Sequence, residues 1–151
     1  MKIVISTNYW GSQGAGVIVF CEPTGNVLWV KRSTYVNEPH TWSVTVGGKL
    51  DGREKPRQAA YREIKEELAY KGRMRLDHKP VDVFKDGSFR YTTFLARVQQ
   101  EFDLPPFIPW TPGEKGNWET EDYEWAPYHE PPSSNLHFGT KSLLRKVPSI
   151  G

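Results

Sequence analysis

Residues 48–70 read GKLDGREKPRQAAYREIKEELAY, and this stretch decides how the remainder of the chain is read. Its second half has the period of a helix. Pro56 suits a first helical turn, where its missing N–H costs no hydrogen bond. Ala60, Ile64 and Leu68 recur every four residues and form an apolar stripe. Glu63, Glu66 and Glu67 stand three and four apart, so their carboxylates share the adjoining face. Arg62 and Lys65 offset part of their repulsion. A solvated helix would interleave its signs. A cluster of hard oxygen donors instead suits a divalent cation such as Mg²⁺, which takes carboxylates together with substrate phosphates. Ahead of the helix, Val46-Gly47-Gly48-Lys49-Leu50 runs an extended segment into a glycine-rich loop. Glycine lets a backbone approach a ligand closely, and a loop feeding a helix N-terminus favours anions. Strand, loop and acidic helix together make a place to hold a metal-bound phosphate.

Working outward, the pattern is Gly48, five residues, Glu54, seven residues, then Arg62-Glu63-Ile64-x-Glu66-Glu67-x-Ala69-Tyr70. This resembles the Nudix box of the Nudix hydrolases. Every position of the pattern matches except one, where the family's Gly is Ala69. So many specified positions at fixed spacing make a strong signal, unlike a lone glycine motif. The resemblance implies an αβα sandwich around a central mixed β-sheet, of mixed α+β (α/β) class, with residues 1–151 as one domain. It implies hydrolysis, with Mg²⁺ or Mn²⁺, of the pyrophosphate bond in a nucleoside diphosphate linked to another group. Nucleotide sugars, ADP-ribose, dinucleotides and dinucleoside polyphosphates lead the candidates. The alternatives are a house-cleaning nucleoside triphosphate pyrophosphohydrolase and a non-catalytic nucleotide-binding regulator. Such regulators usually lose box acids, whereas Glu54, Glu63, Glu66 and Glu67 are all present.

The resemblance also implies roles. Glu66 and Glu67 are direct metal ligands, joined by the Gly48 carbonyl. Glu63 binds a metal or acts as base on the attacking water, and Arg62 orients it. Glu54 supports the loop and the metal shell. Gly47, Lys49, Arg32 and Arg90 are substrate-binding candidates. Lys31 and Arg32 read equally as phosphate contacts and as solvated charge at a strand end. Arg90 and Arg97 face either substrate or solvent. The family Gly serves the helix end; Gly72, three residues on, is a candidate to take that role, and the helix is expected to run slightly longer or to be differently capped.

The stretch Asn117-Trp118-Glu119-Thr120-Glu121-Asp122-Tyr123-Glu124-Trp125 is the second informative one. It is similar to a segment that some Nudix enzymes carry before a final strand, with Thr120 in place of their His. Glu119 is the matching acid that completes the metal site or serves as the base; Glu121 and Glu124 compete for that role. Between this stretch and the preceding strand, Leu104–Asn117 holds four prolines and two glycines, which excludes helix and central strand. Phe107, Trp110 and Trp118 read first as core cover under this loop and second as surfaces on which a nucleobase stacks.

Composition bounds the remainder. A formal net charge of only +2 excludes a strongly basic nucleic-acid footprint, so the expected partner is a small nucleotide rather than nucleic acid. Cys21 stands alone, so no intramolecular disulfide forms, and a cytoplasmic location is expected. No apolar run is long enough for a membrane span. Dimers being common in the family, the resemblance leaves room for a homodimer. Short strands are expected at Lys2–Ile5, Ala15–Phe20, Val27–Lys31, Ser43–Val46, Arg73–Leu76, Val81–Phe84, Phe89–Gln99 and Trp125–Tyr128, with turns at Asn8–Ser12, Glu22–Asn26 and Lys85–Ser88. A short helix is expected at Thr140–Arg145. His40 reads as an ordinary loop histidine.

Overall fold

The acidic stretch forms a helix, α1, over Pro56–Glu67 in the computed structural model, which describes residues 13–113 and 116–150. The strand expected at Lys2–Ile5 and the turn at Asn8–Ser12 lie outside the described residues. Pro56 occupies the first turn, and the Lys55 amide donates to Gln58 Oε1 at 2.8 Å, closing the helix start. Ala59, Ala60, Ile64 and Leu68 are buried, so the apolar stripe is the face that packs. The helix then stops where the box departs from its pattern. Leu68 is the C-cap and Ala69 itself takes the left-handed turn at φ 53°. Gly72 does not take over that turn; the helix is instead capped differently, through Ala69 itself. Leu68, at the stop, is buried with Ile64 and Ala60 in one core.

Eight strands form one mixed sheet. They are β1 Gln13–Cys21, β2 Asn26–Arg32, β3 Trp42–Ser43, β4 Val46–Lys49, β5 Met74–Leu76, β6 Asp82–Asp86, β7 Phe89–Val98 and β8 Thr120–Pro127. The path runs β3-β2-β1-β7-β5, with β4 on β1, β6 on β7 and β8 on β2. Among the strands of the described residues only β1 and β7 pair in parallel, in register from Gln13 opposite Arg90 to Cys21 opposite Val98. The β1–β2 and β6–β7 hairpins follow their turn residues, with Gly25 at φ 78° and Gly87 at φ 63°.

Two expectations are corrected. The extended segment before the double glycine is not one strand. Ser43 Oγ donates to the Thr45 carbonyl at 2.9 Å and accepts from the Thr45 amide, which kinks the chain so that β3 joins β2 while β4 joins β1. The final strand is not confined to Trp125–Tyr128. β8 begins at Thr120 and pairs antiparallel with β2, so the stretch from Thr120 onward is sheet, with Glu119 just ahead of it.

Alternation along β1 builds a core on each face. Val17, Val19 and Cys21 pack with Ile64, Leu68 and Phe94 beneath α1. Ile18 packs with Trp29, Leu95, Tyr128 and Leu143 on the opposite face, beneath a second helix, α2, at Phe138–Lys146. Helices cover both faces of the sheet, which is the expected αβα sandwich. No helix among the described residues is long and apolar enough to cross a membrane.

Candidate active site

The sheet pairing carries the glycine loop, α1 and the start of β8 to one cleft of about 570 Å³. From one side come Lys49, Asp51, Arg62, Glu63, Glu66 and Glu67; from the other, Gly116, Asn117, Trp118 and Glu119. Of the three competing acids, Glu119 is the one at the cleft. Glu121 is held at the surface instead, 2.8 Å from His40 Nδ1 and 3.5 Å from Lys31 Nζ, and Glu124 lies opposite Trp29 in the sheet.

Gly47 is required by space, and at Gly48 a side chain would crowd the Glu63 carboxylate. A Cβ on Gly47 would stand 2.1 Å from the Ala15 carbonyl oxygen, and one on Gly48 would stand 3.0 Å from Glu63 Oε2. That close approach lets the Gly47 amide donate to the Glu67 carboxylate. Arg62 is the clamp of the loop. Its Nε donates to Glu54 Oε2 at 2.9 Å, Nη1 to Glu63 Oε2 at 3.1 Å and Glu66 Oε1 at 3.0 Å, and Nη2 to the Lys49 carbonyl at 3.1 Å. Glu54 in turn accepts from the Asp51 amide at 2.9 Å, which closes the Asp51–Glu54 turn. Arg62 holds Glu54 below the usual carboxylate range.

Glu63, Glu67 and Glu119 behave oppositely. Burial pushes each of them above the ordinary carboxylate value; Glu119 and Glu63 push Glu67 further, and Glu119 adds to the rise at Glu63. Arg32 is the cation that pulls Glu67 and Glu119 back. Three carboxyls compete for one space with too little positive charge.

Glu119 is held by residues that the sequence reading passed over. The Ser33 amide donates to the Glu119 carbonyl at 2.9 Å, and Ser33 Oγ donates to the Trp118 carbonyl at 2.6 Å. Asn117 accepts from the Thr120 amide through Oδ1 and donates to the Pro105 carbonyl through Nδ2. Tyr91 was missed as well; its ring fills the space beside Gly14, Gly16 and Gly47. Asn117 stood inside the quoted motif, but nothing local marks Ser33 or Tyr91.

The remaining candidates divide. Arg32 lies beside the acids, its Nε donating to the Asn37 carbonyl at 2.8 Å and its Nη2 to Asn37 Oδ1. Lys49 is exposed at the cleft. Arg90 is exposed on β7 opposite Lys85 and is not among the cleft residues. Arg97 is committed elsewhere, paired through two nitrogens with Asp77 at 2.8 and 3.0 Å. Phe107 and Trp110 are exposed, not core cover.

Among the described residues no three His, Cys, Asp or Glu side chains converge tightly enough to hold an ion as they stand. The donor chemistry nevertheless suits a hard divalent cation: carboxylates crowded by burial and by one another.

A cleft of this make, on this sheet, defines a class. Residues 12–147 match the NUDIX domain, and the chain belongs to that family. It is similar to an RNA pyrophosphohydrolase of Aeromonas hydrophila, 46% identical over 54 residues, which are 36% of this chain and 28% of the relative. The chain thus spans under a third of the length of that curated relative. In structure it is similar to a MutT NUDIX hydrolase from Burkholderia pseudomallei, with TM-score 0.62 and 24% identity over 90% of this chain and 97% of that one. It is similar too to an Ap4A hydrolase of C. elegans, with TM-score 0.63 and 22% identity over 88% of this chain and 93% of that one. Those two likenesses speak for the fold alone.

Proposed function

We propose that the protein is a metal-dependent pyrophosphohydrolase that cuts the pyrophosphate bond of a nucleoside diphosphate linked to another group. The observation that carries this reading is the convergence of Glu63, Glu67 and Glu119 in one cleft, from segments far apart in the chain. Glu63, Glu67, Glu119 and the Gly48 carbonyl would hold Mg²⁺ or Mn²⁺, with Glu66 available beside Arg62. A bound ion neutralises diphosphate charge and makes water a better nucleophile. The chain supplies the remainder. Arg62 fixes the Glu63 carboxylate through Oε2, leaving Oε1 to receive a proton from water. Lys49 and Arg32 offer cations to the phosphates. The Gly47 amide and Ser33 hold Glu67 and the Glu119 backbone in place.

Sugar-linked and dinucleotide-like substrates lead, a choice supported by the segment around Glu119. The stretch shared with an RNA pyrophosphohydrolase favours RNA as a second reading. Against it stands the net charge of +2, because phosphate contacts along a strand want a basic face. The reading takes residues 1–151 as one domain, a small nucleotide as partner, and the cytoplasm as its place.

The experiment is a substrate panel with Mg²⁺ or Mn²⁺, products separated by liquid chromatography, run beside Glu67→Gln. One class is expected to be cleaved, with the variant slower by about a hundredfold or more. Equal activity of Glu67→Gln would sink the site assignment. Cleavage of nothing, with nucleotide still raising the melting temperature, would make the protein a binding module.

A further inference from the structure

We infer that the aromatic surface at the mouth of the cleft is a stacking platform for the base-bearing end of the substrate; this rests on the pyrophosphohydrolase reading. Four large apolar side chains gather there although they face solvent: Tyr35, Phe107, Ile108 and Trp110, exposed by 43%, 37%, 38% and 46%. Exposed apolar groups in one patch mark a binding surface, whereas scattered ones need no account.

The patch is built from two loops and is continuous with the cleft. The Tyr35 and Phe107 rings lie 6.3 Å apart and within 24° of parallel. Trp110 meets Trp118 edge to face at 6.4 Å, and Trp118 lines the cleft next to Glu119. The backbone is knitted at the same place. Phe107 bridges to Asn117, the Ile108 amide donates to the Asn117 carbonyl at 2.9 Å, and Ser33 Oγ binds the Trp118 carbonyl. The Ile108 side chain also lies over Gly116, where a Cβ would stand 2.3 Å from its Cδ1. The platform and the Glu119 carboxylate are therefore carried by one connected segment.

This continuity selects the occupant. A protein seated on these rings would cover the cleft mouth and shut out substrate. A flat unsaturated ring, joined through a sugar to phosphates in the cleft, uses both surfaces at once. Ring faces grip any base, since every base presents a π-face. The platform therefore selects for the presence of a base more than for its identity, and recognition by the chain is broad among nucleotides.

The test compares kcat/KM for ADP-ribose, which carries a base, with kcat/KM for phosphoribosyl pyrophosphate, which carries none. In Phe107→Ala and Trp110→Ala the ratio is expected to fall about tenfold or more, with Trp110→Phe restoring most of it. Tyr35→Ala repeats the measurement from the other loop, should a variant in the first fail to fold. A ratio within twofold of the original protein in all of them would overturn the platform while leaving the hydrolase reading intact. If the original protein cleaves neither compound, the platform is judged by binding alone, while the hydrolase reading stands or falls with the full substrate panel. ADP is then expected to quench tryptophan fluorescence in the original protein and less in Phe107→Ala. Absence of quenching, or equal quenching, overturns it.

Discussion

At Ala69 the backbone turns left-handed, with φ 53°, at the position where glycine is favoured after a helix. A side chain in that region costs about 1–2 kcal/mol, and glycine gives back part of the gain through its freer unfolded chain. Ala69→Gly is therefore expected to stabilise the protein by about 0.5–1 kcal/mol, or roughly 1–4 °C in Tm. Chemical denaturation checks it, and an unchanged or lowered midpoint would mean that the turn is relaxed in solution. Glu67 poses the converse case. Its carboxylate is disfavoured by burial and by two other acids, and the Gly47 amide would serve a glutamine oxygen equally well. Glu67→Gln should lose activity yet keep or raise its metal-free Tm. A variant that melts earlier would show that the charge serves the fold.

Among the elements, the β2–β3 connection decides how the start of β8 sits. Ser33 is fully buried, and its hydroxyl and amide are spent on Trp118 and Glu119, 85 residues away for the hydroxyl contact. Removing the hydroxyl leaves a buried carbonyl without its donor, at a cost of about 1–3 kcal/mol. Ser33→Ala should lower stability by that amount and lower kcat, since Glu119 loses its support. Thermal melts and kinetics on the same preparation test this, and a drop in stability alone would separate Ser33 from the site. The same connection holds two further left-handed residues, Glu38 and His40 at φ 48° and 65°. They persist because partners over-determine them. The Phe138 amide donates to Glu38 Oε1 at 2.9 Å, and His137 Nε2 lies 3.1 Å from Glu38 Oε2.

For the molecule as a whole, the cleft and the far helix share charge. His137 caps α2 by accepting from the Gly139 amide. Burial and Arg32 push it below its ordinary value of 6.5, with Glu38 pulling the other way. The folded chain therefore binds this proton less readily than the unfolded one. The stabilisation is present above pH 6.5 and is lost as pH falls below it toward the folded value. Tm should fall on going from neutral to mildly acidic pH, and His137→Asn, which keeps a cap, should flatten that part of the profile. An unaltered profile would place the pH dependence elsewhere. Divalent metal acts on the whole fold in the same currency. Three crowded acids favour the bound state, so millimolar Mg²⁺ should raise Tm, and less so in Glu67→Gln. No shift with either ion would count against a metal held by these residues.

What the sequence determined by itself is local. The stripe of Ala60, Ile64 and Leu68 and the acids beside it were legible because a helix repeats within a few residues. The β1–β2 and β6–β7 hairpins were legible because their turns need the glycines that stand there. The NUDIX family was legible because its pattern fits within one strand-loop-helix unit. Tertiary structure decided the remainder. The position of Glu119 at the cleft, with Glu121 and Glu124 away from it, the place of Ser33 and the extent of β8 all depend on which strands pair. Pairing of β2 with β8 and of β1 with β7 joins residues far apart in the chain, and no local period encodes such contacts. Ala69 shows the same limit at its smallest: the chain turns left-handed there, against the preference of a residue with a side chain.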